Sequence, residues 1–122
     1  QECPDTGCRT AGYSGEGIAV GTVGIWEKGI ADYAYIEQEW MGGPDGTGAN
    51  GFEYHYDANL GAAWVWNPSN GQLVSMDSKE SPLDKGQYVL DNDLGGVFAW
   101  EIDADSGTIL NAMNEGVGNK PE

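Results

Sequence analysis

The sequence predicts an α+β fold, and three observations carry that prediction. FEYHYD, 52–57, alternates as a half-buried strand does, and AAWVWN and QLVSMD flank PSNG like the arms of a β-hairpin. GIADYAYIEQEWM, 29–41, sets Ile30, Tyr33, Ile36 and Trp40 at helical spacing. VFAWEI, 97–102, is apolar on both faces and lies between two helical segments, the habit of a parallel strand covered by helices.

Residues 1–24 are rich in Gly, Thr and Ser and read as loop. The 29–41 helix follows, and GGPDGTGANG, 42–51, reads as a flexible loop. The strand at 52–57 should lie beside the hairpin of 62–77, whose turn falls at Pro68 to Gly71. Ser81-Pro82 resembles an N-cap followed by proline at the first helical position. That helix runs through LDKGQYVLDNDL and is expected to stop at Gly95-Gly96. VFAWEI should then be a buried strand, and SGTILNAMNEG, 106–116, a short closing helix.

Composition narrows the function. Twenty acids face five bases (Arg9, Lys28, Lys79, Lys85 and Lys120) in 122 residues, a net charge of −15. A phosphate backbone would be repelled, so nucleic acid is not an expected partner, and an anionic membrane is disfavoured for the same reason. No apolar run of about 18 residues is present to span a bilayer. The acidic surface suits secretion or a salty medium. Five Trp, six Tyr and twenty Gly suit a loop-rich β-containing fold or a carbohydrate-binding surface. Gln1 has no initiator Met before it, and no signal peptide is visible, so the chain is expected to begin at a processing, cleavage or cloning boundary. Cys3 and Cys8, in CPDTGC, are expected to form a local disulfide in an oxidising compartment. Half of a zinc site is the competing reading, and it needs more ligands than the distant His55 supplies.

GGVFAWEIDAD, 95–105, climbs through Val97, Phe98 and Trp100 and then turns acidic at Glu101, Asp103 and Asp105. In parallel sheets, ligands gather at the carboxyl ends of strands. Trp100 and Glu101 stand at such an end, where a barrel strand delivers working residues. Asp103 and Asp105 read as helix caps or solvent-facing acids. Trp40, Trp64 and Trp66 read as packing residues, with Trp64 and Trp66 on one face of a strand. Asp91, Asn92 and Asp93 lack the alternating oxygen spacing of a calcium loop.

GIWEKGIADYAYI, YHYD, AAWVWNPSNGQLVSMD and GQYVLDNDLGGVFAWEIDADSGTILNAMN together resemble the C-terminal part of secreted bacterial family 18 chitinases, over roughly residues 18–118. The resemblance implies a small α+β insertion domain at 26–77, after a loop-rich segment at 1–25. It implies the last helix, strand and helix of a (β/α)8 barrel within 78–122. Trp26 and Glu27 match a pair lining the sugar-binding cleft. Trp100 matches the floor of the subsite for the reacting N-acetylglucosamine, and Glu101 the substrate-touching acid beside it. An indole stacks on the apolar face of a sugar ring, and nearby polar groups meet its hydroxyls.

The family's catalytic acid belongs to a D-x-x-D-x-D-x-E motif on an earlier strand. Here Asp103-Ala104-Asp105-Ser106-Gly107 follows the last strand and has Gly107 where the Glu would stand. An M-Y-x-R segment is also missing. No catalytic residue is therefore assigned, and no cofactor or metal is implied. The expected role is that of a secreted chitinase's C-terminal portion. It would act on chitin or chitooligosaccharide by substrate-assisted retention, outside the two-carboxylate pattern, with the remainder of the barrel as partner. The alternative is a non-catalytic carbohydrate-binding or structural module derived from the insertion domain. A weaker third reading is an acidic calcium-binding β-protein.

Overall fold

A computed structural model of the protein describes residues 24, 25 and 29–119. The expected α+β architecture is present. Helix α1 starts as α-helix at Tyr33–Tyr35 and continues as a π-helix over Ile36–Met41. Strands β1 (Glu53–Asp57), β2 (Ala62–Asn67) and β3 (Gln72–Met76) form an antiparallel sheet in chain order. Helix α2 (Glu80–Asp91), a 3-10 turn (Ile102–Ala104) and helix α3 (Thr108–Gly116) complete the chain.

Side-chain alternation across the sheet makes the core. Tyr54, Val65 and Val74 stand in one row across the three strands, and Val65 is fully buried. The helix supplies Tyr33, Ile36, Trp40 and Met41 from above, joined by Ile25 and Phe52. Trp40 stacks on Phe52 at 4.6 Å and meets Tyr35 edge-on at 5.3 Å, so it is the packing residue its helical spacing predicts. Trp64 and Trp66 do share the opposite sheet face. There His55 stacks on Trp64 at 5.4 Å, with its Nε2 3.4 Å from Glu53. The hairpin turns at the expected place: Ser69 N–H donates to Asn67 Oδ1 at 3.0 Å and Gly71 N–H to the Asn67 carbonyl at 2.9 Å.

Several local expectations are corrected. The first helix begins at Tyr33, because Asp32 is extended (φ −62°, ψ 142°), and Ile30 before it is exposed. The glycine-rich loop after it is tied down. Ala49 N–H reaches the Trp40 carbonyl at 2.8 Å, Gly48 N–H the Met41 carbonyl at 3.1 Å, and Asn50 Nδ2 the Glu39 carbonyl at 2.7 Å. A Cβ on Gly46 would lie 2.0 Å from the Met41 carbonyl oxygen, so glycine serves close backbone approach there.

Helix α2 starts one residue before Ser81. Ser81 works as a cap from inside the first turn: its Oγ accepts the Ser78 N–H at 3.1 Å, while Ser78 Oγ accepts the Glu80 N–H at 3.4 Å. At the other end α2 stops before Gly95. Asp93 adopts the left-handed conformation (φ 52°), Leu94 N–H bonds the Val89 carbonyl at 3.0 Å, and Asp93 N–H reaches the Leu90 carbonyl. This is the paired closure in which glycine is the usual left-handed residue.

The largest correction concerns VFAWEI. Among the described residues no strand pairs with 95–100, so the expected helix–strand–helix lacks its strand. A strand exists only where neighbours satisfy its N–H and C=O groups, and among the described residues the sheet ends at β3. Phe98, expected to be buried, is 91 % exposed.

Candidate functional site

The segment 97–105 forms one wall of a cavity of about 300 Å³. Ala31, Tyr33 and Ile36 of the α1 region line it, as do Met76, Asp77, Pro82 and Lys85. Ile109 and Met113 of α3 also line it. That volume is at the small end of ligand pockets.

Trp100 and Glu101 both line this cavity, as neighbours joined by a cis peptide bond. Trp100 is 92 % exposed and Glu101 is also exposed, so the indole face and the carboxylate are open to an incoming molecule. Trp26 and Glu27, and the cysteines Cys3 and Cys8, lie outside the described residues. The flanks of Trp26-Glu27 are anchored, because Ile25 is fully buried and Asp32 N–H donates to the Gly24 carbonyl at 2.8 Å.

The two later acids differ. Asp103 sits exposed in the 3-10 turn. Asp105 caps α3, its two carboxylate oxygens accepting the Ile109 N–H at 3.0 Å and the Leu110 N–H at 2.9 Å. Carboxylates at a helix start satisfy orphan donors and meet the favourable end of the helix dipole. Ser106 Oγ donates to Glu37 Oε1 at 2.8 Å, linking the residue after that cap to α1. Nothing in the local pattern marks Glu37 as a site residue, since its partner lies 69 positions away.

Electrostatics fix the surrounding groups. Lys85 Nζ lies 2.6 Å from Asp77 Oδ1, which also accepts the Ser81 hydroxyl at 2.7 Å. Burial works against the Asp77 charge, but the Lys85 and Ser81 hydrogen bonds outweigh it and hold the carboxyl below its ordinary range. Burial, then the Glu37 charge, pushes the Tyr33 phenol well above its usual value, so Tyr33 remains a hydroxyl. Tyr54 donates to Glu80 at 2.7 Å, and its phenol is likewise raised, burial being the main cause. Among the described residues no cluster of three or more His, Cys, Asp or Glu could hold a metal ion, and no helix is long and apolar enough to cross a membrane.

The profile of Glycosyl hydrolases family 18 matches residues 6–105. The chain belongs to glycosyl hydrolase family 18. It is 51 % identical over 94 residues to "Chitinase A" of Pseudoalteromonas piscicida, covering 77 % of this chain and 11 % of that protein. It is 46 % identical over 117 residues to a "Probable endochitinase" of Orgyia pseudotsugata multicapsid polyhedrosis virus, covering 92 % of this chain and 20 % of that protein. Among solved structures it resembles the chitinase Chi1 fitted into the Yersinia entomophaga toxin complex. That match has a TM-score of 0.75 at 31 % identity, over 81 % of this chain and 19 % of that one. The family 18 chain thus spans about a tenth to a fifth of these relatives.

Proposed function

We propose that this chain supplies sugar-binding residues to the cleft of a chitinase. The reaction is hydrolysis of β-1,4-linked N-acetylglucosamine polymer, with the substrate's acetamido group as nucleophile and the anomeric configuration retained. The chain contributes no catalytic acid. Trp100 stacks against the sugar at the reacting position, and Glu101 hydrogen-bonds it. Trp26 and Glu27 line the cleft from the insertion-domain wall at 26–77, while 78–122 belongs to the barrel. The observation that carries the reading is a fully presented indole beside a carboxylate on a cavity wall, in a family 18 chain. The acidic composition and the close pair Cys3 and Cys8 support a secreted parent.

The partner is the remainder of the barrel. Leu90, Leu94, Phe98 and Ile102 are each about half exposed or more along one stretch of chain. Apolar surface of that extent marks an interface, and 95–100 has no strand pairing among the described residues, which a neighbouring strand would supply. A stand-alone carbohydrate-binding module would leave both in water, so the exposure favours the enzyme portion.

Calorimetry tests the reading. An intact parent, inactivated at its catalytic acid, should bind chitooligosaccharides, and Trp100→Ala should weaken that binding while the melting temperature holds. Unchanged affinity with a large drop in melting temperature would make Trp100 a core residue and sink the proposal.

A further inference from the structure

We propose that Glu37 is a positioning residue that sets the separation between the two walls of the cavity; this rests on the sugar-binding reading above. Glu37 lies in the π-helical part of α1 and is 7 % exposed. On the same helix, Tyr33 and Ile36 line one wall. Across the cavity, Ser106 follows Asp105, which lines the other wall and caps α3. The Ser106 hydroxyl donating to Glu37 Oε1 at 2.8 Å therefore ties wall to wall.

Burial makes this carboxylate expensive. A buried polar group costs stability unless hydrogen-bonded, and an ionised one costs more. Glu37 Oε2 and the Tyr33 hydroxyl are both buried, and the Glu37 carboxylate acts on that hydroxyl. Leucine would pack at this site at lower cost, but it has no oxygen to accept the Ser106 hydroxyl. The wall bearing Trp100 and Glu101 has no strand pairing among the described residues. Its position relative to α1 accordingly depends on anchors beyond its own backbone, and this bond is one of them.

The test uses an intact parent inactivated at its catalytic acid. Affinity for an N-acetylglucosamine hexasaccharide is measured by calorimetry, beside the melting temperature, for Ser106→Ala, Glu37→Ala, Glu37→Gln and Trp100→Ala. Ser106→Ala should lower affinity about three- to tenfold, the range of one lost hydrogen bond, and Glu37→Ala at least as much. Glu37→Gln should bind like the wild type, because its amide oxygen still accepts the Ser106 hydroxyl. Should Glu37→Ala fail to fold, Ser106→Ala alone decides, since Ser106 is exposed. Wild-type affinity in Ser106→Ala, with Trp100→Ala still weakened, would overturn the positioning role and leave the sugar site standing. Wild-type affinity in both would overturn the two together. A loss in Glu37→Gln as large as in Glu37→Ala would also overturn the positioning role.

Discussion

At Trp100 the indole stands 92 % exposed at the end of a segment whose pattern predicts a strand. Trp100→Ala removes little buried area from the described fold, so its effect should fall on ligand affinity: of order 1 kcal/mol, about fivefold, read by calorimetry on the intact parent. Asp105 has the opposite profile. It holds two N–H groups of α3, so Asp105→Ala should cost about 1 kcal/mol of stability in chemical denaturation. Asp93, left-handed at φ 52°, should be improved by Asp93→Gly, by about 0.5–1 kcal/mol in the same measurement. The capping role of Asp105 was legible because an acid before a helical run has a local purpose. The left-handed stop at Asp93 was not, because the glycines two and three residues later are the stronger signal.

Between elements, the sheet was readable and the contacts that orient it were not. Alternation in β2 and turn residues at 68–71 are short-range signals, and the structure follows them. The approach of α2 to α3 depends on residues thirty apart. A Cβ on Gly86 would sit 2.3 Å from the Gly116 carbonyl carbon. Helix propensity alone gives Gly86→Ala a gain of roughly 0.5–1 kcal/mol. The clash reverses the sign, and a loss of about 1–3 kcal/mol is expected, seen as a lowered melting temperature. Asp77 joins β3 to α2 through Lys85 and Ser81, and its folded-state pKa is lowered. An unfolded carboxyl titrates near 4. Below that value the unfolded chain takes up the proton first, so this stabilisation is present above about pH 4 and lost as pH falls further. Denaturation midpoints at pH 6 and pH 3 should differ less in Asp77→Asn than in the wild type.

Over the whole molecule, titration limits stability at the alkaline end as well. Tyr33, Tyr54 and Tyr56 are all raised by burial first, Tyr56 to about 12, where Asp84 also holds its hydroxyl. Unfolded phenols titrate near 10, so above about pH 10 the unfolded state loses protons first and the folded state weakens. Denaturation midpoints should fall between pH 9 and pH 11. The −15 net charge adds self-repulsion, which salt screens. The surface around Phe98 was legible as apolar sequence but not as exposed surface, since hydropathy does not say what covers a segment. The openness of Trp100 also has an optical consequence. An indole in water emits at longer wavelength than one in a core such as that of Trp40, and small quenchers reach it by collision. In so acidic a protein, caesium ions should quench Trp100 better than iodide, because the field draws in the cation and repels the anion. A sugar stacked on the ring would shut out both, so binding in the parent should appear as a shift to the blue and a loss of quenching, absent in Trp100→Phe.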